Sequence, residues 1–357
     1  MIPAHIWADD LTGAAEVADL IAWSTSDPVI LALDDEPPAV DGVLVHDLDL
    51  RHSSDASARA RLVERLSSVR RTERLFLKLD SQLHGPVTSC LGALIDDRRR
   101  VLLSAANPGL GRVTLDGVHR VPGPHGVTTT SVADLLADLP HRILHGKPVV
   151  SPVDPDPAVL VPDATTQHDL QSLARAAVEN DLDLAGGAAL LAALLGTAPA
   201  PRVPAPPPVR KLLTVIGSGE AAARAQVDAA RRHPSIDVVA ADPARASQVV
   251  STMARGRSVV LVPDGTLGDL ARTAAAIVRQ SAPETGLLLT GGYTARLVLD
   301  RLGITMLTVV PAQRGPIVRL RAPCGLTVFT KPGSYGDPDT VATLLNNLAL
   351  ESEGENR

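Results

Sequence analysis

Aromatic side chains are almost missing from this 357-residue sequence, which holds two tryptophans, two tyrosines and two phenylalanines, 2% of the chain. A core with so few rings has to be packed from Ala, Val and Leu. Base-stacking platforms, aromatic cages and large aromatic interface hot spots are therefore not where its function lies. Cysteine is scarce too: Cys90 and Cys324 stand far apart, with no C-x-x-C and no neighbouring histidine. That excludes a cysteine zinc site and a disulfide framework, and a reducing compartment fits. Long apolar runs are also absent. The longest reach, LAGGAALLAALLG at 184–196, is too short and too glycine-rich to span a bilayer. The amino-terminal segment carries Asp9 and Asp10 where a secretion signal needs an unbroken apolar stretch. Nor is there a surplus of positive charge, since 34 Lys and Arg face 40 Asp and Glu for a net −6. This is not the footprint of a nucleic-acid binder. With 45% hydrophobic and 21% charged residues the chain is ordinary globular material. A cytoplasmic protein acting on small molecules is expected, with neither nucleic acid nor membrane as partner.

One stretch marks a boundary. TAPAPRVPAPPPVR at 197–210 holds six prolines and reads as a semi-rigid linker, the alternative being a long loop inside one domain. The expected division is a domain at 1–197, a linker at 198–209 and a second domain at 210–357, whose charged end ESEGENR is expected to fray. In the first half, PAHIWA, DPVILALD, DGVLVHDL, RLFLKLDS and RVLLSAAN read as strands. The helices between them are LTGAAEVADLIAWS, SSDASARARLVERLSSV and GPVTSCLGALIDD. The second half alternates KLLTVIG, IDVVAAD, SVVLVPD, TGLLLTGG and ITMLTVV with EAAARAQVDAARRH, LGDLARTAAAIVRQS and TARLVLDRLG. Strands separated by helices imply crossovers and parallel pairing. The fold class is α/β: two three-layer domains with mostly parallel sheets and a ligand cleft between them.

Ligands bind outside the carboxyl ends of strands in such sheets, which directs attention to the turns. Asp9, Asp10, Thr12 and Gly13 follow the first strand; one aspartate suffices to cap a helix, and two plus Thr-Gly exceed that need. Lys78, Asp80, Ser81 and His84 follow RLFLKLDS. They suit an anionic, hydroxylated molecule, or else form a solvent-facing ion pair on an edge strand. Asn107 to Arg112 is a Pro/Gly-fixed loop whose arginine can fork onto a carboxylate or phosphate. In the second half, GSGEAA from Gly217 formally matches G-x-G-x-x-A, with Asp237 or Asp242 as the acid of a dinucleotide site. Thr290 to Thr294 and Lys331 to Gly336 are further glycine-bracketed turns suited to phosphate or ribose. No Walker-type phosphate loop is present.

Taken in order, these segments resemble the four-carbon acid sugar kinase family, the ATP-dependent kinases of threonate, erythronate and 3-oxo-tetronate. The resemblance runs through D-D-L-T-G-A at Asp9 to Ala14 and a K-x-D-S-x-L-x-G segment at Lys78 to Gly85. It continues through P-x-x-G-R-x-T-x-x-G at Pro108 to Gly117 and a G-S turn with a later Gln at Gly217, Ser218 and Gln226. It closes with G-G-x-T-A at Gly291 to Ala295, the turn Arg314-Gly315-Pro316, and K-x-G-x-Y-G at Lys331 to Gly336. It implies an amino-terminal acceptor domain, a carboxy-terminal nucleotide domain, ATP and Mg²⁺, and admits a homodimer. Asp10 or Asp80 would orient or deprotonate the attacking hydroxyl, and Asp9, Lys78, Ser81, His84 and Arg112 would grip the acceptor. Ser218, Gly291, Gly292, Tyr293, Thr294, Lys331 and Gly333 would cradle ATP. The metal ligands are unassigned. Several positions depart from the family pattern: Gln82 stands for Thr, His84 for Arg, Pro86 for Asn and Tyr293 for Asp. Asp264, after SVVLVPD, is the carboxylate nearest to hand as a substitute for the last. The expected function is an ATP-dependent kinase of a small polyhydroxy acid. A catalytically silent or repurposed member is the alternative, and an NAD(P)-dependent dehydrogenase a more distant one.

Overall fold

The computed structural model describes residues 2–34, 40–123, 126–146, 156–196, 208–311, 315 and 317–354. Residues 198–207 of the expected linker and the flanks of Gly315 lie outside these residues. The strands are β1 (His5–Ala8), β2 (Val29–Ala32), β3 (Val43–Asp47), β4 (Leu75–Lys78), β5 (Val101–Ser104), β6 (Val113–Leu115), β7 (Val118–Gly123), β8 (Gly126–Ser131), β9 (His141–Leu144), β10 (Val159–Pro162), β11 (Asp183–Gly186), β12 (Lys211–Ile216), β13 (Ile236–Ala240), β14 (Ser258–Val262), β15 (Thr285–Thr290), β16 (Met306–Val309), β17 (Val318–Arg321) and β18 (Thr327–Lys331). The helices are α1 (Leu11–Ala22), α2 (Asp55–Leu66), α3 (Val87–Asp96), α4 (Val132–Leu135), α5 (Gln167–Glu179), α6 (Ala188–Leu195), α7 (Ala221–Ala230), α8 (Ala246–Ala254), α9 (Leu267–Val278), α10 (Gly292–Leu302) and α11 (Thr340–Gly354).

The chain divides into two compact units, Met1–Ser24 with Leu44–Ala200, and Thr25–Val43 with Pro201–Arg357. Thr25–Val43 therefore falls with the second unit, whereas sequence order alone put it in the first. The physical reason is β2, which pairs antiparallel with β16 through Ala32–Met306, Leu31–Leu307 and Ile30–Thr308.

In the first unit the sheet runs β3-β1-β4-β11-β5-β10-β9, all parallel. Period-two alternation sends Trp7, Leu75, Leu77 and Leu103 to one face, where they pack with Leu62, Leu66, Leu91 and Leu94 of α2 and α3. Their strand neighbours Ile6, Phe76, Leu102 and Leu184 are equally buried and turn to the opposite face. A small antiparallel sheet, β6-β7-β8, is added to this unit. Its first hairpin turns at Asp116 (φ 51°) and Gly117 (φ 71°), the left-handed pair that an Asp-Gly tight turn supplies.

In the second unit the order is β13-β14-β12-β15-β18-β17-β16-β2. The first five strands are parallel. β17 and β16 are antiparallel, so ITMLTVV lies in the antiparallel part of this mostly parallel sheet. Leu212, Ile216, Val260, Leu288 and Phe329 form a core with α7 and α11. The expected fraying does not begin at Glu351, because α11 continues to Gly354; residues 355–357 lie outside the described residues. The buried Arg319 guanidinium holds Glu351 at 2.9 Å and lies over the Phe329 ring, tying the helix to the sheet. Among the described residues, no helix is long and apolar enough to cross a membrane.

Candidate active site

The order β3-β1-β4 means that the chain reverses its direction of travel across the sheet at β1. A crevice at the carboxyl ends of β1 and β4 follows, the place where open α/β sheets bind ligands. Ala8 is paired with Lys78 in register, so the Asp9-Asp10 turn and the Lys78–Ser81 turn emerge side by side. Asp10 caps α1: its carboxylate accepts the Gly13 N–H at 2.8 Å and the Thr12 hydroxyl at 2.7 Å. A Cβ on Gly13 would sit 2.7 Å from Asp10 Oδ1 and 3.0 Å from Lys78 Nζ. Glycine is what lets the helix begin against the lysine.

Asp9 is fully committed to a residue the sequence reading passed over, Arg51. The guanidinium donates from Nε and Nη2 to the two Asp9 oxygens, at 3.0 and 2.8 Å, and its Nη1 lies 3.0 Å from Asp10 Oδ2. One arginine thus neutralises two adjacent buried carboxylates. Burial raises the Asp9 pKa above its ordinary value, and Asp10 adds to this while Arg51 and Lys78 oppose it. Burial disfavours the Arg51 charge, but Asp9 and Asp10 outweigh that and hold the guanidinium more firmly protonated than usual. Arg51 reaches the site because the Leu50 and Arg51 N–H groups both donate to the Asp9 carbonyl, at 2.8 and 2.9 Å.

Lys78 is buried on an interior strand, which disposes of the edge-strand ion-pair reading. Its amine donates to the Leu79 carbonyl at 3.1 Å and stands 3.8 Å from Glu16. Asp80 receives His84 Nδ1 at 3.0 Å on Oδ2, while its backbone N–H donates to Asp9 Oδ2 at 3.3 Å. Burial pushes the Asp80 carboxyl up, but the His84 hydrogen bond and the Arg51 and Lys78 charges win, holding it well below the usual carboxylate range. Ser81 accepts a hydrogen bond from the Arg112 guanidinium. Arg51, Asp9, Asp10, Asp80 and His84 are thereby linked into one network, with Lys78 and the Ser81–Arg112 pair emerging from the same strand end beside it.

In the second unit, the last residues of three adjacent strands stand in one row, Ile216–Thr290–Lys331, and each is followed by a glycine-bearing turn. β12 also lies where the strand order reverses, between β14 and β15. A Cβ on Gly333 would lie 2.2 Å from Ser218 Oγ, and one on Gly217 2.4 Å from Thr294 Oγ1, so only hydrogen fits at either position. Gly291 (φ 90°) leads into α10 and donates to the Lys331 carbonyl at 2.9 Å. The Thr290 hydroxyl is buried with no hydrogen-bond partner among the described residues. Lys331 is 1% exposed; its amine donates to the Pro332 carbonyl at 2.9 Å, and burial pushes its pKa down to about 8. Gln226, fully buried, donates to the Tyr335 carbonyl at 3.1 Å and fixes this turn. Tyr293 is 43% exposed and Asp264 is exposed. Ser218, Gly291, Gly292, Thr294, Lys331 and Gly333 form a close-walled turn cluster at a helix amino terminus, the geometry that receives phosphate.

Among the described residues, one grouping of His and Asp side chains is spaced for a cation, Asp116, His145 and Asp163, in the first unit. Asp163 already accepts the Asp116 and Gly146 N–H groups, at 2.8 and 3.0 Å, and so acts as a loop clip.

Residues 4–138 match the model of a sugar-binding N-terminal domain, and residues 264–341 that of a nucleotide-binding C-terminal domain. The acid-and-cation crevice lies on the unit that holds most of the first match, and the glycine cradle on the unit that holds the second. The chain belongs to the four-carbon acid sugar kinase family. It is 28% identical to the D-threonate kinase of Cupriavidus necator, over 93% of this chain and 94% of that one. The fold is shared with a protein of Salmonella typhimurium LT2 (TM-score 0.71, 18% identity, 94% of this chain and 96% of that one). It is shared equally with protein HI1011 of Haemophilus influenzae (TM-score 0.67, 18% identity, 94% and 97%).

Proposed function

We propose that the protein is an ATP-dependent kinase of a four-carbon acid sugar, with D-threonate the first acceptor to test. The observation that carries this reading is the crevice at β1 and β4. There Lys78 and Arg112 offer cations to an acid group, and Asp80 offers a carboxylate to a hydroxyl. The same chain also matches a nucleotide-binding domain and a D-threonate kinase. Between the two candidate bases the geometry favours Asp80. Both Asp10 oxygens are occupied, by Gly13 and by Thr12 with Arg51. Asp80 Oδ1 carries no hydrogen bond among the described residues, and its carboxyl is held ionised. Asp80 therefore orients the acceptor hydroxyl and takes its proton, while Lys78, Ser81 and Arg112 hold the acid end and Asp9 fixes Arg51. Backbone N–H groups at Ser218 and Gly292, with the Thr290 and Thr294 hydroxyls and the Lys331 amine, fit ATP phosphates. ATP with Mg²⁺ supplies the phosphoryl group and neutralises its charge.

The Lys331 amine makes nucleotide binding pH-sensitive on this reading. ADP affinity is expected to weaken as pH rises from about 7 to 9, the range in which a lysine displaced to about 8 loses its charge. Calorimetry on the parent and on Lys331→Met checks it. The dependence should vanish in the variant, and a parent affinity flat across this range would remove Lys331 from the phosphate site.

Tyr293 favours one rival reading, a member that binds ligands without turnover, since a phenol supplies no carboxylate to a metal at neutral pH. An ADP-release screen with Mg²⁺ against D-threonate, D-erythronate and related acids decides it. The parent is expected to turn over at least one of them, with Tyr293→Asp changing the rate by less than about tenfold, because Mg²⁺ on nucleotide phosphates keeps several waters and needs few protein ligands. Turnover confined to the variant would establish the silent reading.

A further inference from the structure

We propose that His119, through its bond to the Ser81 carbonyl, is a positioning residue for the acceptor, fixing Ser81 and Arg112 in their binding geometry. This rests on the kinase reading above. His119 lies on β7, fully buried, directly across the hairpin from Thr114. Its Nε2 stands 2.8 Å from the Ser81 carbonyl and its Nδ1 3.0 Å from the Thr114 hydroxyl. A carbonyl can only accept, so Nε2 bears the proton. Nδ1 is then bare and accepts from Thr114. Both ends of the ring are used, and the tautomer is dictated by its partners. Burial disfavours the imidazolium most and Arg112 adds to it, while the Ser81 and Val113 carbonyls and the Asp80 charge oppose them; the net shift is downward and keeps the ring neutral.

The ring is also well anchored from behind. Thr114 exchanges two backbone hydrogen bonds with Ala164, at 2.9 and 2.8 Å. The Ser81 carbonyl has no other hydrogen bond among the described residues, and its hydroxyl takes the Arg112 guanidinium. The next turn of chain is tight: Leu83 sits at φ 61° and donates to the Asp80 carbonyl at 2.9 Å. Losing the His119 donor would leave Ser81 free to shift, and with it Arg112 on one side and Asp80 on the other. The β6-β7-β8 sheet thus acts as a support for the acceptor pocket, and His119 is its point of contact.

The test compares His119→Leu and His119→Gln, with D-threonate and MgATP as substrates. A support confined to the acceptor should raise the D-threonate KM by roughly tenfold or more in the leucine variant, leaving the ATP KM within about twofold. Glutamine, whose amide N–H can reach the same carbonyl, should recover most of the loss. Imidazole ¹⁵N spectra of the parent should show the neutral Nε2–H tautomer between about pH 6 and 8. Equal losses in both KM values, no rescue by glutamine, or an Nδ1–H tautomer would each overturn the proposal. Should the leucine variant fail to fold, Thr114→Val removes only the hydroxyl that holds the far end of the ring. The Nε2–H tautomer, set by the Ser81 carbonyl, should persist while the acceptor KM rises about threefold, and an unchanged acceptor KM would count against the proposal. A parent that phosphorylates no four-carbon acid defeats the kinase reading and this inference together, whereas an active parent with an unmoved acceptor KM in His119→Leu defeats the inference alone.

Discussion

Arg51→Ala is expected to lower the stability of the first unit by roughly 3 kcal/mol near neutral pH, the lower end for breaking a buried ion pair, because the guanidinium is 20% exposed. For a unit of this size that corresponds to a melting temperature lower by roughly 6–12 °C. Acceptor-dependent ADP release should disappear with it, since this one cation faces Asp9, Asp10 and Asp80 together. The loss is pH-dependent, and its sign follows from Asp9. This carboxyl is already raised above 3.8 in the folded protein, so its ionisation costs folding free energy. Its best contribution lies below the unfolded value and is lost as pH rises through the folded one. Without Arg51 the folded value rises further and the window of cost widens upward. The variant should therefore be least impaired near pH 4–5 and most impaired near pH 8. Thermal melts of both proteins across this range check it; a destabilisation that is constant with pH would mean that Asp9 does not depend on Arg51 for its charge.

That Arg51 escaped the sequence reading, while Asp9, Lys78 and Asp80 did not, has a physical explanation. The three predicted residues sit immediately after apolar strand runs, and in an open parallel sheet the carboxyl end of a strand is a place known in advance. Arg51 sits beyond β3 in a polar stretch, RHSSD, with no motif of its own; it matters only because β3 lies beside β1 and its loop folds over Asp9. That adjacency is a fact of strand order, which one-dimensional periodicity does not carry. β2 illustrates the same limit: VILA reads as a buried strand, but nothing local says that its partner is β16, far along the chain. The β6–β7 hairpin was a different kind of omission. Val-Thr-Leu-Asp-Gly-Val-His-Arg-Val alternates about an Asp-Gly pair, a recognisable hairpin signal. Reading it would have placed His119 opposite Thr114. The helical end of α11 was misread because charge composition suggested solvent, whereas a buried Arg319 gives Glu351 a partner.

Asp80→Asn should leave the fold intact and the acceptor KM within a few-fold, yet lower kcat by about 10²–10⁴, the usual contribution of a positioned proton acceptor. The substitution keeps the shape and the room beside His84 and removes the charge and the basicity. A carboxyl held well below its ordinary pKa is a weak base, and in phosphoryl transfer that is adequate. The transition state is loose, and the acceptor hydroxyl becomes acidic only as its bond to phosphorus forms. The same depression sets a stability signature. A carboxyl lowered on folding stabilises above its unfolded value and loses that contribution as pH falls through the folded one. The parent should accordingly exceed Asp80→Asn in stability at pH 7, with the gap closing below about pH 4. Asp10→Asn is the decisive companion. Asparagine caps helices about as well as aspartate, so α1 should survive, and a residue whose oxygens already serve Gly13, Thr12 and Arg51 should cost kcat far less than Asp80 does. Single-turnover rates for the two variants, measured alongside their acceptor KM values, separate the roles. If Asp10→Asn stops the phosphoryl step while Asp80→Asn spares it, the proton goes to the helix cap, and Asp80 belongs with Ser81 and Arg112 among the groups that hold the acceptor.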